Sequence, residues 1–386
     1  MKLAFYILIV LAVIIYLLLN YYIGLRGWQM LFLKQSIIGK RLYWCLFWIL
    51  PASFFISRFT AMLPVGSLNF FLEMTGYYWM AASLYLLIII LICDFIRFSY
   101  RTIFKEKRRI SYYKNLGILI SIIVIVLVAA LLIYGTWNTY NLKIVKYDVD
   151  IKKQAGNLES LNAVMVSDVH LGTLIGIKQV EKMVDNINKS EPDIVIIAGD
   201  LIDNDIKPLK DPQIIWALSR IRSMYGVYAV LGNHEIYSED ADVIKSLMEK
   251  AGIRLLIDEC ININDSFYIA GRNDSAIERF YKEERKNIKD LLNGIDITKP
   301  VIVIDHQPNS IDEAYSNGVD LLLSGHTHKG QIFPISLITD ALFENDYGYL
   351  KKGNMSSIVS SGYGIWGPPL RIGSNSEILH LRIKFK

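Results

Sequence analysis

An α/β domain preceded by an α-helical transmembrane bundle is the fold this sequence predicts, and three observations predict it. Of 386 residues, 53% are hydrophobic and mean hydropathy is +0.32, high for a soluble enzyme, with the excess concentrated before residue 140. Beyond that point, short β-rich apolar runs are mostly separated by helix-like stretches, the pattern of strands joined by helices. Five of the six histidines then fall in short motifs that close those runs: Ser167-Asp168-Val169-His170, Gly199-Asp200, Gly232-Asn233-His234-Glu235, Asp305-His306 and Gly325-His326-Thr327-His328.

Residues 1–137 hold four candidate spans, at 3–22, 42–62, 78–95 and 116–136. Leu3 to Tyr22 and Leu116 to Tyr134 are apolar over the length of about 20 residues that a bilayer requires. Trp79 to Phe95 is nearly as clear, with Asp94 at its end. Leu42 to Met62, interrupted by Pro51 and Arg58, is the weakest of the four and compatible with a re-entrant segment. No small-x-small cleavage site follows the first segment and further spans do, so it is read as a retained span and not a signal peptide.

Lysine and arginine resist translocation, so their distribution orients the bundle. Arg26, Lys34, Lys40 and Arg41 follow the first span; Arg97, Arg101, Lys105, Lys107, Arg108, Arg109 and Lys114 follow the third; only Arg58 lies between the second and third. Both basic stretches are expected on the cytoplasmic side, and with four spans the motif-bearing half then faces outwards. A cluster such as Lys105 to Arg109 beside two spans suits anionic lipid better than nucleic acid. A formal net charge of +4, largely in those loops, does not suggest a dedicated nucleic-acid binder. Cys45 and Cys93 fall in spans and Cys260 stands alone, so no disulfide framework is expected.

Asn138 to Leu142 form a short linker, and Lys143 to Ile151 alternates Val145, Tyr147, Val149 and Ile151 with polar neighbours as a strand does. The domain at 142–386 is therefore held close to the bilayer. Its motif-bearing strands are Ala163 to Ser167, Asp193 to Ala198, Val227 to Leu231, Val301 to Ile304 and Val319 to Leu323. Ligands in α/β sheets collect beyond the carboxyl ends of strands, so five polar motifs at five strand ends converge on one crevice. Gly199, Gly232 and Gly325 suit turns where backbone passes close to that cluster. Carboxylate, amide and imidazole are the donors that hard and borderline divalent cations take, and two such ions need ligands from several strand ends.

The ordered set Asp-x-His, Gly-Asp, Gly-Asn-His-Glu, His, Gly-His-x-His resembles the calcineurin-like metallophosphoesterases, bacterial membrane-anchored members among them. The resemblance implies a four-layer αββα sandwich and two divalent metal ions, manganese, iron or zinc. It implies that Asp168, His170, Asp200 and His328 hold one ion, that Asp200, Asn233, His306 and His326 hold the other, and that Asp200 bridges. His234 is then the unligated histidine that protonates the leaving oxygen. Two ions about 3.5–4 Å apart can activate a shared hydroxide for in-line attack, and an acid such as His234 adds about 10²–10⁴-fold.

Around this set, Arg272 follows the strand Phe267 to Ala270 and is a candidate to grip a second phosphate, or else a charged surface turn. Lys329 stands where relatives often carry glycine, beside a metal ligand, and is a candidate to alter anion affinity. Ser361 to Arg371 resembles the closing loop of membrane-associated members, with Tyr363 and Trp366 at the mouth or packed on the core. Glu235 reads as a helix-start carboxylate, and His380 as a residue on the solvated face of a last strand. The function expected is hydrolysis of a phosphodiester, pyrophosphate or phosphomonoester, lipid-linked esters included, at the cell membrane. The rival is a non-catalytic membrane binding or scaffold protein that keeps the fold.

Overall fold

The computed structural model describes residues 2–31, 37–60, 66–104, 114–203, 205–238 and 240–386. They form two compact units, Met1–Gly135 with Gly367–Pro369, and Thr136–Trp366 with Leu370–Lys386.

The first unit is helical: α1 (Lys2–Leu31), α2 (Ile37–Thr60), α3 (Gly66–Phe104) and α4 (Lys114–Tyr140), whose last turn passes into the second unit. Each is long and apolar enough to cross a membrane, over Ile7–Met30, Ile37–Thr60, Gly66–Tyr100 and Gly117–Tyr140. The helices outrun the expected spans because polar residues extend them beyond the apolar runs. The weak second candidate is one continuous helix through Pro51, whose carbonyl accepts from Tyr16 Oη at 3.0 Å. Arg26 therefore lies in α1, Lys40 and Arg41 in α2, and Arg97 and Arg101 in α3, not in loops. Lys34 and the cluster Lys105, Lys107, Arg108 and Arg109 lie outside the described residues. Asp94 of α3 explains its own presence in an apolar segment, since it pairs with Arg26 of α1 at 2.5 Å and accepts from Tyr22. Arg58 of α2 meets Glu73 of α3 at 3.0 Å towards the other end of the bundle. A buried charge that kept no partner would be costly in lipid.

The second unit is a sandwich of two six-stranded sheets. Its strands are β1 (Lys143–Ile151), β2 (Ser160–Val166), β3 (Ile194–Ala198), β4 (Val227–Val230), β5 (Ile253–Leu255), β6 (Glu259–Ile263), β7 (Phe267–Gly271), β8 (Val301–Ile304), β9 (Leu321–Ser324), β10 (Gly348–Lys352), β11 (Met355–Val359) and β12 (Glu377–Phe385). One sheet runs β1-β12-β2-β3-β4-β5 and the other β10-β11-β9-β8-β7-β6. Strands β2 to β5 are mutually parallel, as are β7, β8, β9 and β11.

Alternation along the strands makes the layers. Leu161, Ala163 and Met165 of β2 face Ile302, Ile304, Leu321 and Leu323 of the other sheet in a central core. Val164 and Val166 turn instead to the helices α5 (Ile177–Lys189), α6 (Pro212–Ser219) and, across the same face, α8 (Ala241–Lys250). Val301, Val303 and Leu322 face the short helices α10 (Ile288–Leu291) and α11 (Ile311–Ser316). Three apolar interfaces make four layers, αββα. The remaining helices, α7 (Asn233–Tyr237), α9 (Ala276–Phe280) and α12 (Ser336–Leu342), lie in connections. His380 sits half-buried on β12 and bonds Asn162, in a strand whose neighbours Leu379, Leu381 and Ile383 are buried.

Candidate metal centre

The carboxyl ends of β2, β3 and β4 in one sheet and of β8 and β9 in the other deliver the motif residues to a common edge. The turns that follow are sharp: Asp168, His170, Asp200, His326 and His328 all have φ between 49° and 73°. Left-handed backbone at five non-glycine residues costs folding energy, and such outliers gather where side-chain direction matters more than comfort. The three motif glycines answer to packing. A Cβ at Gly199 would meet His306 Nδ1 at 2.5 Å, one at Gly232 would strike Asp200, and one at Gly325 would strike Asp168.

Two clusters result. In the first, His170 Nε2 and His328 Nε2 are 3.0 Å apart, and Asp168 Oδ1 is 3.5 Å from His328 Nε2. In the second, His306 Nε2 lies 3.1 Å from Asp200 Oδ2, and His326 Nδ1 lies 2.8 Å from Asn233 Oδ1. Asp200 joins them, since its Oδ2 is also 3.9 Å from His170 Nε2. The ligand atoms of Asp168, His170 and His328 lie within 4.8 Å of one another, as do those of Asp200, His306 and His326. All seven residues expected to bind metal are thus brought together.

The donor set fits cations. Burial lowers His170 to about 4, so at neutral pH its ring is uncharged and can offer Nε2, 3.0 Å from His328 Nε2, as a ligand atom. Asp168 and Asp200 are fully buried and neither is paired with lysine or arginine among the described residues. Buried carboxylates need positive charge nearby, and here it comes from the His306 imidazole beside Asp200 and, at longer range, from the buried Arg371 guanidinium acting on Asp168. Burial pushes Asp168 up to about 6, against the lowering pull of His306. For Asp200 burial works the same way, but the charge and hydrogen bond of His306 prevail and hold it below the usual range. His306 moves reciprocally: burial lowers it, yet Asp200 and Asp168 raise it well above an ordinary imidazole.

His234 lies beside the first cluster, its ring 4.6 Å from that of His170 and its Nδ1 3.2 Å from Asp203 Oδ1. Burial would lower its pKa, but the hydrogen bond of Asp203 and the charge of Asp200 raise it. Its neighbour Glu235 is indeed in the first turn of α7 and accepts Gly232 N at 2.7 Å, as a helix-start carboxylate should. It does more, taking Asp200 N and Ile202 N at 2.9 Å each and so binding the β3 and β4 motifs together.

Arg272 is buried and engaged elsewhere. Its Nη1 bonds Ser310 at 2.7 Å, Glu313 at 3.0 Å and Asp305 at 3.3 Å, and its Nε bonds Lys286 O at 2.8 Å. That network braces the strand end before His306 and leaves little of the guanidinium for a phosphate. Lys329 places its Nζ 4.3 Å from the ring centre of Tyr347, next to His328. Tyr363 is in the core, donating to Gln179 O at 2.6 Å. Trp366 is at the surface, its backbone gripped by Gln331 at 2.9 and 3.0 Å and its ring 6.3 Å from His234.

Two residues escaped sequence reasoning. Asp203 stands three after Asp200, and that spacing was a usable signal. Arg371 ends the closing loop but gave no sign that it would be fully buried, with Nη2 bonded to Gly362 O and Gly364 O at 3.2 and 2.5 Å and 3.3 Å from His328 Nδ1. The loop it anchors lies on the first motif, Tyr363 N donating to Ser167 O and Gly364 N to Asp168 O at 2.8 Å each.

Comparison with known proteins agrees with this geometry. The calcineurin-like phosphoesterase family model matches residues 161–330. An uncharacterized metallophosphoesterase of Campylobacter jejuni is 35% identical over 289 residues, 72% of this chain and 74% of that one. The chain belongs to the calcineurin-like metallophosphoesterases. An uncharacterized metallophosphoesterase of Helicobacter pylori is 35% identical over 58% of this chain and 60% of its own. A transmembrane protein with metallophosphoesterase domain of Danio rerio is 29% identical over 68% of this chain and 62% of its own. The chain thus spans about three fifths of the length of these last two relatives. The four helices of the first unit, each long and apolar enough to cross a membrane, go with a membrane protein.

Proposed function

We propose that this metallophosphoesterase hydrolyses a phosphodiester, a pyrophosphate or a phosphomonoester at two divalent cations, manganese, iron or zinc. The carrying observation is the pair of ligand clusters that meet at Asp200. Asp168, His170, Asp200 and His328 would hold one cation, and Asp200, Asn233, His306 and His326 the other. When bound, the cations would supply positive charge for the phosphoryl oxygens and an activated water. Asn233 ligates without adding charge, which keeps the centre electropositive towards an anionic substrate. Asp203 fixes His234 through Nδ1, so Nε2 presents a proton to the leaving oxygen. A binding or scaffold module has no use for that dyad, which favours the enzyme over its rival. Hydrolysis of lipid, nucleotide and sugar-linked phosphoesters by purified protein, dependent on added manganese and abolished by a chelator, tests this; silence across all three classes would return the scaffold.

Cation binding should release protons. Burial lowers His306 but Asp200 and Asp168 raise it well above the ordinary imidazole value, so it holds a proton that ligation must displace, whereas burial lowers His170 and His326 to about 4 and leaves them neutral. Asp168, at about 6, becomes a further competitor as pH falls. The sign follows: affinity rises with pH through about 6, where Asp168 titrates, and on through the raised range of His306, with protons released on binding. Calorimetry of manganese binding in buffers of different ionisation heat reads the number directly. A release of zero at pH 7 would show that His306 is already neutral in the metal-free fold.

We also propose that the domain faces outwards. The pairing of Arg26 with Asp94 sets the carboxyl-terminal ends of α1 and α3 side by side, which puts Arg26 and Arg97 at one end of the bundle. Single cysteines near Lys107 and Asn375 in a cysteine-free background, treated in whole cells with an impermeant maleimide, should label at 375 and not at 107. The reverse result puts the centre in the cytoplasm.

A further inference from the structure

The connection from the metal motif of β9 to β10 carries an apolar surface that the hydrolysis does not need. None of the seven residues of α12 is buried, and Leu337, Ile338 and Leu342 are 61%, 58% and 73% exposed. Phe333 and Ile335 in the turn before it are exposed too, and Trp366 stands 57% exposed on the loop that Gln331 grips. From 332 to 343 the one charged side chain is Asp340. This surface adjoins the centre, since Phe343, just past α12, is 6.4 Å from the ring of His326. A soluble domain seldom leaves such a group to water without a partner for it.

The topology of the domain says which partner. Strand β1 is parallel to β12 and β12 is antiparallel to β2, so β1 begins at the sheet edge where β2 ends, the edge of the metal ligands. The membrane-crossing helix α4 ends at Tyr140, three residues before β1 begins at Lys143. Its last turn is bonded into the closing loop, Asn138 Nδ2 donating to Arg371 O at 3.1 Å and Ser374 O at 2.8 Å. Phe333 N donates to Ile372 O of the same loop at 2.6 Å. One hydrogen-bonded segment, the closing loop, therefore ties the apolar surface to the last turn of α4.

We propose that Phe333, Ile335, Leu337, Ile338, Leu342 and Trp366 seat in the headgroup and upper acyl region of the bilayer that holds the chain, so that the centre meets phosphoesters carried by membrane lipids. The substrate half of this rests on the centre being a phosphoester hydrolase; the docking half does not. An apolar helical face with aromatic flanks is what buries itself at that depth, and lipid-borne esters then reach the cations by lateral diffusion.

The test uses the full chain in phosphatidylcholine nanodiscs, in a background lacking Cys45, Cys93 and Cys260, with an environment-sensitive fluorophore on Leu337→Cys, Leu342→Cys or, as control, Met224→Cys. Met224 is exposed before β4, at the opposite edge of the sheet. Headgroup-nitroxide lipids should quench the labels at 337 and 342 about twofold or more, because that face lies within roughly 5–10 Å of the headgroup boundary, and leave the label at 224 unchanged. Equal quenching at all three positions overturns the docking. So does a Phe333→Cys label that stays quenched when Leu337, Ile338 and Leu342 are all changed to glutamine. Turnover of bis(4-nitrophenyl) phosphate, 4-nitrophenyl phosphate and a nucleoside diphosphate with manganese, measured on the same samples, separates the two ideas: turnover of any of them without selective quenching sinks the docking alone, and selective quenching without turnover of any of the three sinks the hydrolase alone.

Discussion

Asp200→Asn is expected to lose most bound metal and nearly all activity together. The carboxylate lies 3.1 Å from His306 and 3.9 Å from His170, one residue from each cluster, so a single change weakens both coordination sets. Losing an interaction that merely orients a ligand costs about 10–100-fold in metal affinity, and losing the bridge itself should exceed that. Turnover should fall on the order of 10³-fold or more, since the charge stabilisation a cation supplies is worth several kcal/mol. The substitution is nearly isosteric, and an amide oxygen can still accept His234 N, which Asp200 Oδ1 now does at 2.9 Å. A normal thermal transition without metal would therefore separate the loss from misfolding. Elemental analysis finding two metals per chain with normal turnover would end the assignment.

What sequence made legible was whatever chemistry concentrates in a motif. Asp168, His170, Asp200, Asn233, His306, His326 and His328 each close a strand, and strand ends are where an α/β domain must place polar side chains that converge. The spans were legible for the same reason, as long apolar runs, although their ends were not, because Arg26 and Arg97 continue helices that hydropathy alone would stop. Partners distant in sequence were hidden. Nothing near Arg272 announces that Asp305, Ser310 and Glu313 will absorb it, and nothing near Arg371 announces His328, 43 residues earlier. A guanidinium looks the same in sequence whether it waits for a phosphate or braces a strand. Glu235 was half legible: its helix-start role is local, while its grip on Asp200 N and Ile202 N depends on β3 and β4 being neighbours.

His234→Asn should keep both cations and lose rate in proportion to how badly the leaving group needs a proton. His170, Asp203 and His234 also lie close enough to share an ion, but His234 belongs to neither ligand set assigned above and its ring is held by Asp203 at 3.2 Å, so on that assignment metal content should stay near that of the unaltered protein. For an alkoxide leaving group the loss should be about 10²–10⁴-fold, the usual worth of a positioned general acid, and for nitrophenolate it should be small. Asp203→Asn offers the graded version. The hydrogen bond and charge of Asp203 are among the influences that raise His234 above the ordinary imidazole value, so removing them lowers that pKa. The proton is then lost at a lower pH, and the alkaline fall of the rate with poor leaving groups should move towards acid. With nitrophenyl esters that limb should hardly move. Rate losses that are equal across leaving groups of widely different basicity, or an alkaline limb unmoved by Asp203→Asn, would take the proton away from His234.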